Sequence, residues 1–271
     1  TGTTNVAITG DITANNFGGK NYVINGQGLI NQRGALVAMA NGQYFADCYY
    51  YGFSTTTAVV NGATVGGYIE IDVTTADASV AAGDFANIRV PLEGNNVADL
   101  LSGTASAKTV TVSFKHKHTK TGTHCVGFLN ANNTRSYQAE YTQSVSNTEE
   151  TAEVTIALAT DGTWGTGTGR GIDLMFCMMA GSNWQISADA WSSTQDFGTA
   201  NQVNNFDSTS NFFRITDVKL EIGSTATAFV PDDYAVLLAK CERYYEKSYN
   251  YADAPGRPQQ TASGRVYLAQ L

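Results

Sequence analysis

The feature of this 271-residue chain that most restricts its fold is a strict alternation of apolar and polar side chains. In Thr109–Phe114, Val110, Val112 and Phe114 fall on one side of an extended chain and Thr109, Thr111 and Ser113 on the other, because successive side chains of a strand leave opposite faces. Ile69, Ile71 and Val73 alternate with Glu70 and Asp72, and Val154, Ile156 and Leu158 repeat the pattern. Such segments are half-buried antiparallel strands. Ile172–Met179 is apolar on both faces apart from Asp173, which places it centrally in a sheet. Across Phe213–Ile222 the apolar set slips from Phe213 and Ile215 to Val218, Leu220 and Ile222. That change of phase predicts a β-bulge near Thr216 and Asp217. Turn signals stand at Asn61-Gly62, at Asp161-Gly162 and in Gly165–Gly171.

One segment breaks the rhythm. Pro231 suits a first helical position, Asp232 and Asp233 the positive first turn, and Arg243 and Lys247 the negative end. Tyr234, Leu237, Leu238, Cys241 and Tyr245 recur at helical spacing and form one apolar stripe. The pattern predicts an all-β domain closed by one short C-terminal amphipathic helix. Residues 1–20 read as a shaft or linker, since Val6, Ile8 and Ile12 are too few for a core of their own; 21–250 read as the β module. Residues 251–271 read as a connector and the start of a further strand or domain, because Gly256 and Pro258 break the chain before Arg265–Leu271. Thr1–Ile12 shows neither the basic nor the apolar part of a signal peptide, as expected if the chain begins inside a longer polypeptide.

Composition removes several functions. A net charge of -8, from 24 acidic against 16 basic residues, argues against broad nucleic-acid binding. No segment approaches the ~18 apolar residues of a membrane span, so no membrane insertion is expected. Cys48, Cys125, Cys177 and Cys241 contain no C-x-x-C pair and read as reduced thiols in apolar positions, which fits assembly in a reducing cytoplasm. No nucleophile elbow, phosphate loop or zinc-protease helix is present. A glycosidase needs two carboxylates about 5–10 Å apart. Glu140, Glu149, Glu150, Glu153, Asp173 and Asp189 could supply them, yet no signature orders these residues and solvated positions explain them. The reading is therefore no enzyme and no cofactor.

Three clusters remain as binding candidates. His116 and His118 share a strand face, in phase with Val112 and Phe114. A lone H-x-H is a sparse metal motif, so the reading is half-buried rings at a strand end, with a metal held by His116 and His118 as the weaker alternative. Lys115 and Lys117, with Lys108 and Lys120, form the basic cluster of an acidic chain; they are either a solvated face or a contact for anionic sugars. Trp164, Trp184 and Trp191 lie among Gly, Ser and Asn, and Tyr137 and Tyr141 share a strand face. Aromatic rings are natural platforms for the C–H faces of sugars, although a Trp in a β-sandwich is more often core. Trp164 leads, because Gly162 and Gly165–Gly171 surround it. Trp191 comes last, because Ile186, Ala188 and Ala190 suggest a strand leading into it.

Four ordered blocks carry a resemblance. Val23-Ile24-Asn25-Gly26 through Asn31-Gln32-Arg33-Gly34, followed by Gly42-Gln43-Tyr44 and Ala46-Asp47, resembles the "LINGxFxxxQRG … GYxADRW" opening of a module of bacteriophage tail fibres and related tail proteins. Lys108–Phe114 resembles its "GKTVTLSF" strand, Ile215–Phe229 its "ITGVQLEVGSxATxF" block, and Leu238–Tyr245, LAKCERYY, its "LALCQRYY" helix. The chain departs from that pattern at Cys48-Tyr49, usually Arg-Trp, and at Lys115 and His116. The resemblance implies a jelly-roll-like β-sandwich of the carbohydrate-binding type at the distal end of a trimeric fibre. Its implied partners are bacterial surface polysaccharide or lipopolysaccharide, its own copies in a homotrimer, and other tail proteins of the virion. Two alternatives stay open: a structural trimerising fibre or adaptor domain, and the non-catalytic part of a polysaccharide depolymerase.

Overall fold

A computed structural model describes residues 19–247. Residues 1–18 and 248–271, and with them Val6, Ile8, Ile12 and the Arg265–Leu271 segment, lie outside the described residues. The strands are β1 (Tyr44–Ala46), β2 (Tyr49–Ser54), β3 (Val59–Val65), β4 (Tyr68–Thr75), β5 (Phe85–Glu93), β6 (Thr109–His118), β7 (Gly122–Asn130), β8 (Ser136–Gln143), β9 (Glu150–Ala157), β10 (Arg170–Ala180), β11 (Trp191–Ser192) and β12 (Phe212–Ile222). They form a seven-stranded sheet, β1-β2-β5-β10-β7-β8-β11, and a five-stranded sheet, β3-β4-β12-β6-β9, with every pairing antiparallel. The chain changes sheet between β2 and β3, β4 and β5, β5 and β6, β6 and β7, β8 and β9, β9 and β10, and β11 and β12. That repeated crossing is the jelly-roll-like sandwich expected.

Alternation decides which side chains fill the space between the sheets. Val110, Val112 and Phe114 of β6, Ile69, Ile71 and Val73 of β4, and Ile172, Leu174 and Phe176 of β10 belong to one buried cluster. Phe114 meets Phe176 edge to face across the layers, ring centroids 5.0 Å apart at 84°. Strand β10 lies fourth of seven, as its two apolar faces require. The bulge falls where the apolar phase slips: Thr216 faces Lys115 and Lys219 faces Ser113, so β12 carries one extra residue there. Asp217 takes it up with a φ of 51°, and its carboxylate accepts from Gln27 Nε2 at 2.7 Å.

The structure corrects four details. Thr111 and Ser113 are buried, not solvated, because the chain after β12 folds back over the outer face of the five-stranded sheet. There Thr111 Oγ1 donates to Gly223 O at 2.9 Å, and a buried Lys219–Glu221 pair at 3.1 Å is covered by Thr227. Asn61-Gly62 is no turn; it lies inside β3, and the hairpin turns at Gly66 and Gly67. Gly62 is needed for close packing, since a Cβ there would sit 2.4 Å from Met39 Sδ and 2.7 Å from Phe45. The C-terminal helix, α2 (Tyr234–Glu242), begins after the expected Pro231, with Asp233 as N-cap accepting from Ala235 N at 2.9 Å. Leu237 and Cys241 alone on it are buried, against Ile30, while Tyr234 is exposed and Tyr245 lies past its end. A one-turn helix, α1 (Gly94–Val97), follows β5 and was not expected. All four cysteines are free. Among the described residues no helix is long and apolar enough to cross a membrane.

Candidate functional site

Three of the aromatic candidates meet at one edge of the sandwich. Strand β11 pairs with β8 in a register that sets Trp191 opposite Tyr137, their ring centroids 5.2 Å apart. Trp164, on the connection between β9 and β10, stands edge-on to Trp191 with centroids 5.6 Å apart at 87°. Both indoles are half-buried against the core. Trp164 Nε1 donates to Asp161 O at 2.9 Å, and Trp191 Nε1 donates to Ala157 O at 2.9 Å. With each N–H spent on backbone, what these rings offer to solvent is hydrocarbon, the surface that a sugar's C–H groups seek. Gly103, at a φ of 81°, lets Trp164 lie close, since a Cβ there would fall 2.5 Å from its Cδ1.

Polar groups frame the pair. Arg135 is ion-paired with Asp161 beside Trp164. Tyr137, itself buried, donates through its hydroxyl to Asp189 Oδ1 at 3.3 Å, and desolvation followed by the charge of Asp189 pushes that phenol up to about 12. Asp189 holds a φ of 59°, and its N–H donates to Gln138 O at 2.8 Å, which ties the loop before Trp191 to β8. The strand expected over Ile186–Ala190 is absent; only Trp191 and Ser192 pair. Trp191 therefore joins Trp164 at the same edge.

The other candidates lie elsewhere. Trp184 packs against Phe85 and Phe197 in a separate cluster, centroids 5.0 and 5.3 Å away, and donates to Gly83 O at 2.8 Å. Tyr141 shares the face of β8 with Tyr137, and both are buried in the main core, Tyr141 with its ring 5.0 Å from Phe114, so neither is an open platform. Lys115 is bound to Asp217 at 3.1 Å and Glu149 at 3.5 Å, and Lys120 pairs with Asp207. Lys117 stands opposite Arg214 on β12, half-buried. Two of the four lysines of the basic cluster, Lys115 and Lys120, are thus paired with carboxylates that sequence spacing does not reveal.

The histidines are core residues, more deeply buried than the expected half-buried rings. His116, His118 and His124 are 1%, 0% and 0% exposed. His116 Nδ1 donates to Gln143 Oε1 at 2.9 Å, and both nitrogens of the other two rings are engaged: His118 Nδ1 accepts from Arg214 N at 3.3 Å and its Nε2 meets Tyr141 OH at 2.9 Å. His124 Nε2 donates to Lys120 O at 3.0 Å, and its Nδ1 accepts from Asn205 at 3.1 Å. In this arrangement His118 offers no lone pair to a metal beside His116. Among the described residues no group of three metal-ligating side chains occurs. Burial drives His118 well below the usual imidazole range and His124 to about 4.

The carboxylates do not converge either. Glu150 caps Ser144 N and Val145 N, Glu140 accepts from Thr199 and Asn201, and Glu149 accepts from Tyr68 and pairs with Lys115. Asp173 is fully buried between Arg170 at 2.8 Å and Arg89 at 3.8 Å, with one carboxylate oxygen unpartnered. Burial raises its pKa more than the two guanidinium groups lower it. The sole charge in the apolar run Ile172–Met179 was the sequence signal for this group; Arg89, its partner on β5, left none.

A scan against family models and a search of curated proteins each return no match. Solved structures similar to this chain include a family 4 carbohydrate-binding module, 13% identical with a TM-score of 0.39, covering 74% of this chain and 99% of that one. A variant of a family 29 carbohydrate-binding module is 11% identical with a TM-score of 0.36, covering 72% and 96%. The enzymatically active domain of tailspike protein 4 of bacteriophage CBA120 is 12% identical with a TM-score of 0.34, covering 75% of this chain and 21% of that one. Likeness this weak does not reach the level of individual residues.

Proposed function

We propose that this chain is a non-enzymatic receptor-binding module of a bacteriophage tail fibre, which binds bacterial surface polysaccharide or lipopolysaccharide for host attachment. The observation that carries the reading is the convergence of Trp164 and Trp191, half-buried at one edge, with their N–H groups bonded to backbone oxygens and Arg135, Asp161 and Asp189 around them. An aromatic surface framed by polar groups suits a saccharide, whose hydroxyls need partners while its C–H faces need rings. The four sequence blocks that resemble tail proteins supply the viral context. A shallow site of this kind binds weakly alone; a homotrimer, repeated over several fibres of a virion, raises avidity through effective concentration.

The test is a glycan array on the purified protein, run beside adsorption to host cells. Binding to bacterial surface glycans that is lost in Trp164→Ala, with the fold retained, is the expected result. Absence of any glycan binding together with normal assembly into fibres would favour the structural adaptor, and release of sugar from purified capsule would identify an enzyme.

A further inference from the structure

A second site lies far along the chain from the tryptophans, between the loop before β1 and the end of α2. Every other arginine among the described residues is ion-paired: Arg89 and Arg170 with Asp173, Arg135 with Asp161, Arg214 with Glu70 and Arg243 with Glu93. Arg33 makes no ion pair with a described residue, and its Nε is buried without an acceptor; the acidic charge it acts on is that of Asp47. What holds it is stacking, for its Cζ lies 3.6 Å from the ring centroid of Tyr245 and 5.0 Å from that of Tyr44.

This clamped cation lines a cavity of about 210 Å³ whose other walls include Tyr22, Ile24, Leu92 and Tyr244. Of the acidic groups nearby, Glu93, which also lines the cavity, is ion-paired with Arg243, while Asp47 is hydrogen-bonded by Gln32 and acts on Arg33 through its charge. Glu93 accepts from Arg243 at 2.7 and 2.9 Å and from Tyr244 OH at 2.8 Å, and Asp47 accepts from Gln32 N at 3.2 Å and Nε2 at 2.7 Å. Gln32 also donates to Tyr245 O at 2.8 Å, which fixes the backbone of one clamping ring. A guanidinium held by stacking, with its Nε unpartnered and aromatic walls beside it, is a donor group suited to an anion.

We infer that the Arg33 cavity binds a carboxylate carried on a compact ring, about the size of one monosaccharide. A planar guanidinium matches a carboxylate through two parallel hydrogen bonds. The tyrosine and aliphatic walls then cover the ring that carries it. The volume lies below the ~300–1,000 Å³ of pockets for drug-sized ligands, which suits a single ring. Such a carboxylate belongs to an acidic sugar or to a small aromatic acid, and the inference stands whether or not the tryptophan edge binds glycan.

Calorimetric titration of the full chain with glucuronate, glucose and benzoate separates these sources. Glucuronate is expected to bind and glucose not, with affinity falling as salt is raised. Benzoate binding without glucuronate binding keeps the carboxylate site and makes its ligand an aromatic acid. Arg33→Met keeps the stacked bulk without the charge and should weaken binding at least tenfold. Asn96→Trp at the rim should block entry and leave Arg33 intact, which serves if the first variant melts early. No binding of either acid to the unmodified protein, or equal binding by a folded Arg33→Met, overturns the inference. Loss of cell adsorption in Trp164→Ala with glucuronate binding unchanged would show the two sites to be separate.

Discussion

His118 lies flat on Phe213, ring centroids 3.8 Å apart and planes 15° from parallel, so an ionisable ring fills a place in the core that an apolar one would normally take. His124 stands 4.6 Å from it. These rings pack as hydrocarbon while neutral, and their polar edges are satisfied by Tyr141, Lys120 and Asn205.

Acid should therefore weaken the fold. Below the ordinary histidine pKa of about 6.5 the unfolded chain binds protons that the folded chain refuses, until about pH 4 for His124. With more protons bound when unfolded, stability falls as pH falls through that window, by about 1.4 kcal/mol per pH unit for each such ring. His124 alone then accounts for a loss of about 3 kcal/mol between neutral pH and pH 4. Urea unfolding at stepped pH should show a flatter profile for His124→Gln than for the unmodified protein. Parallel profiles would contradict the assignment.

Asp173 should be costly to remove. Its carboxylate is the shared partner of Arg89 and Arg170 and is fully buried. Asp173→Ala leaves the buried Arg89 unpaired, and breaking a buried pair from one side costs about 3–5 kcal/mol. A fall in the denaturant midpoint, measured by far-UV circular dichroism, is the expected outcome. An unchanged midpoint would mean that solvent takes over the role of the carboxylate.

The helix should behave as a clasp through one turn only. Leu237 is 5% exposed and packs with Ile30 and Cys241, whereas Tyr234 is 57% exposed. Leu237→Ala should cost about 2–5 kcal/mol, and Tyr234→Ala almost nothing. Thermal melts of the two variants decide this. Equal effects would mean that the stripe read from spacing, with Tyr234 inside it, describes the packing better.

These contrasts mark where the sequence speaks. Alternation in Thr109–Phe114 and the phase slip before Val218 located β6 and the bulge at Asp217, because which face of a strand is buried is written in period two. The doubly apolar Ile172–Met179 announced a central strand for the same reason. What the pattern could not show is which surface another segment covers. Thr111 and Ser113 are polar yet buried, since residues after β12 fold over them. Lys115 meets Asp217 only because the bulge turns that carboxylate toward it. The meeting of Trp164 with Trp191, and of Arg33 with Tyr245, joins segments distant in the chain through loops whose path has no periodicity.

The tryptophans provide the sharpest test of that edge. All three are half-buried, so Ala at each should cost some stability, on the order of 1–2 kcal/mol from lost apolar burial. Melting temperatures alone will therefore not tell them apart. Location will, because Trp164 and Trp191 touch one another, whereas Trp184 belongs to the cluster of Phe85 and Phe197. Host-cell adsorption should fall sharply for Trp164→Ala and Trp191→Ala and stay near normal for Trp184→Ala. Trp164→Phe retains an aromatic face and gives up the bond to Asp161 O, so partial adsorption is expected from it. If Trp184→Ala loses adsorption while the other two keep it, the receptor surface belongs to the Phe85 side of the seven-stranded sheet, and the edge formed by Trp164 and Trp191 is packing alone.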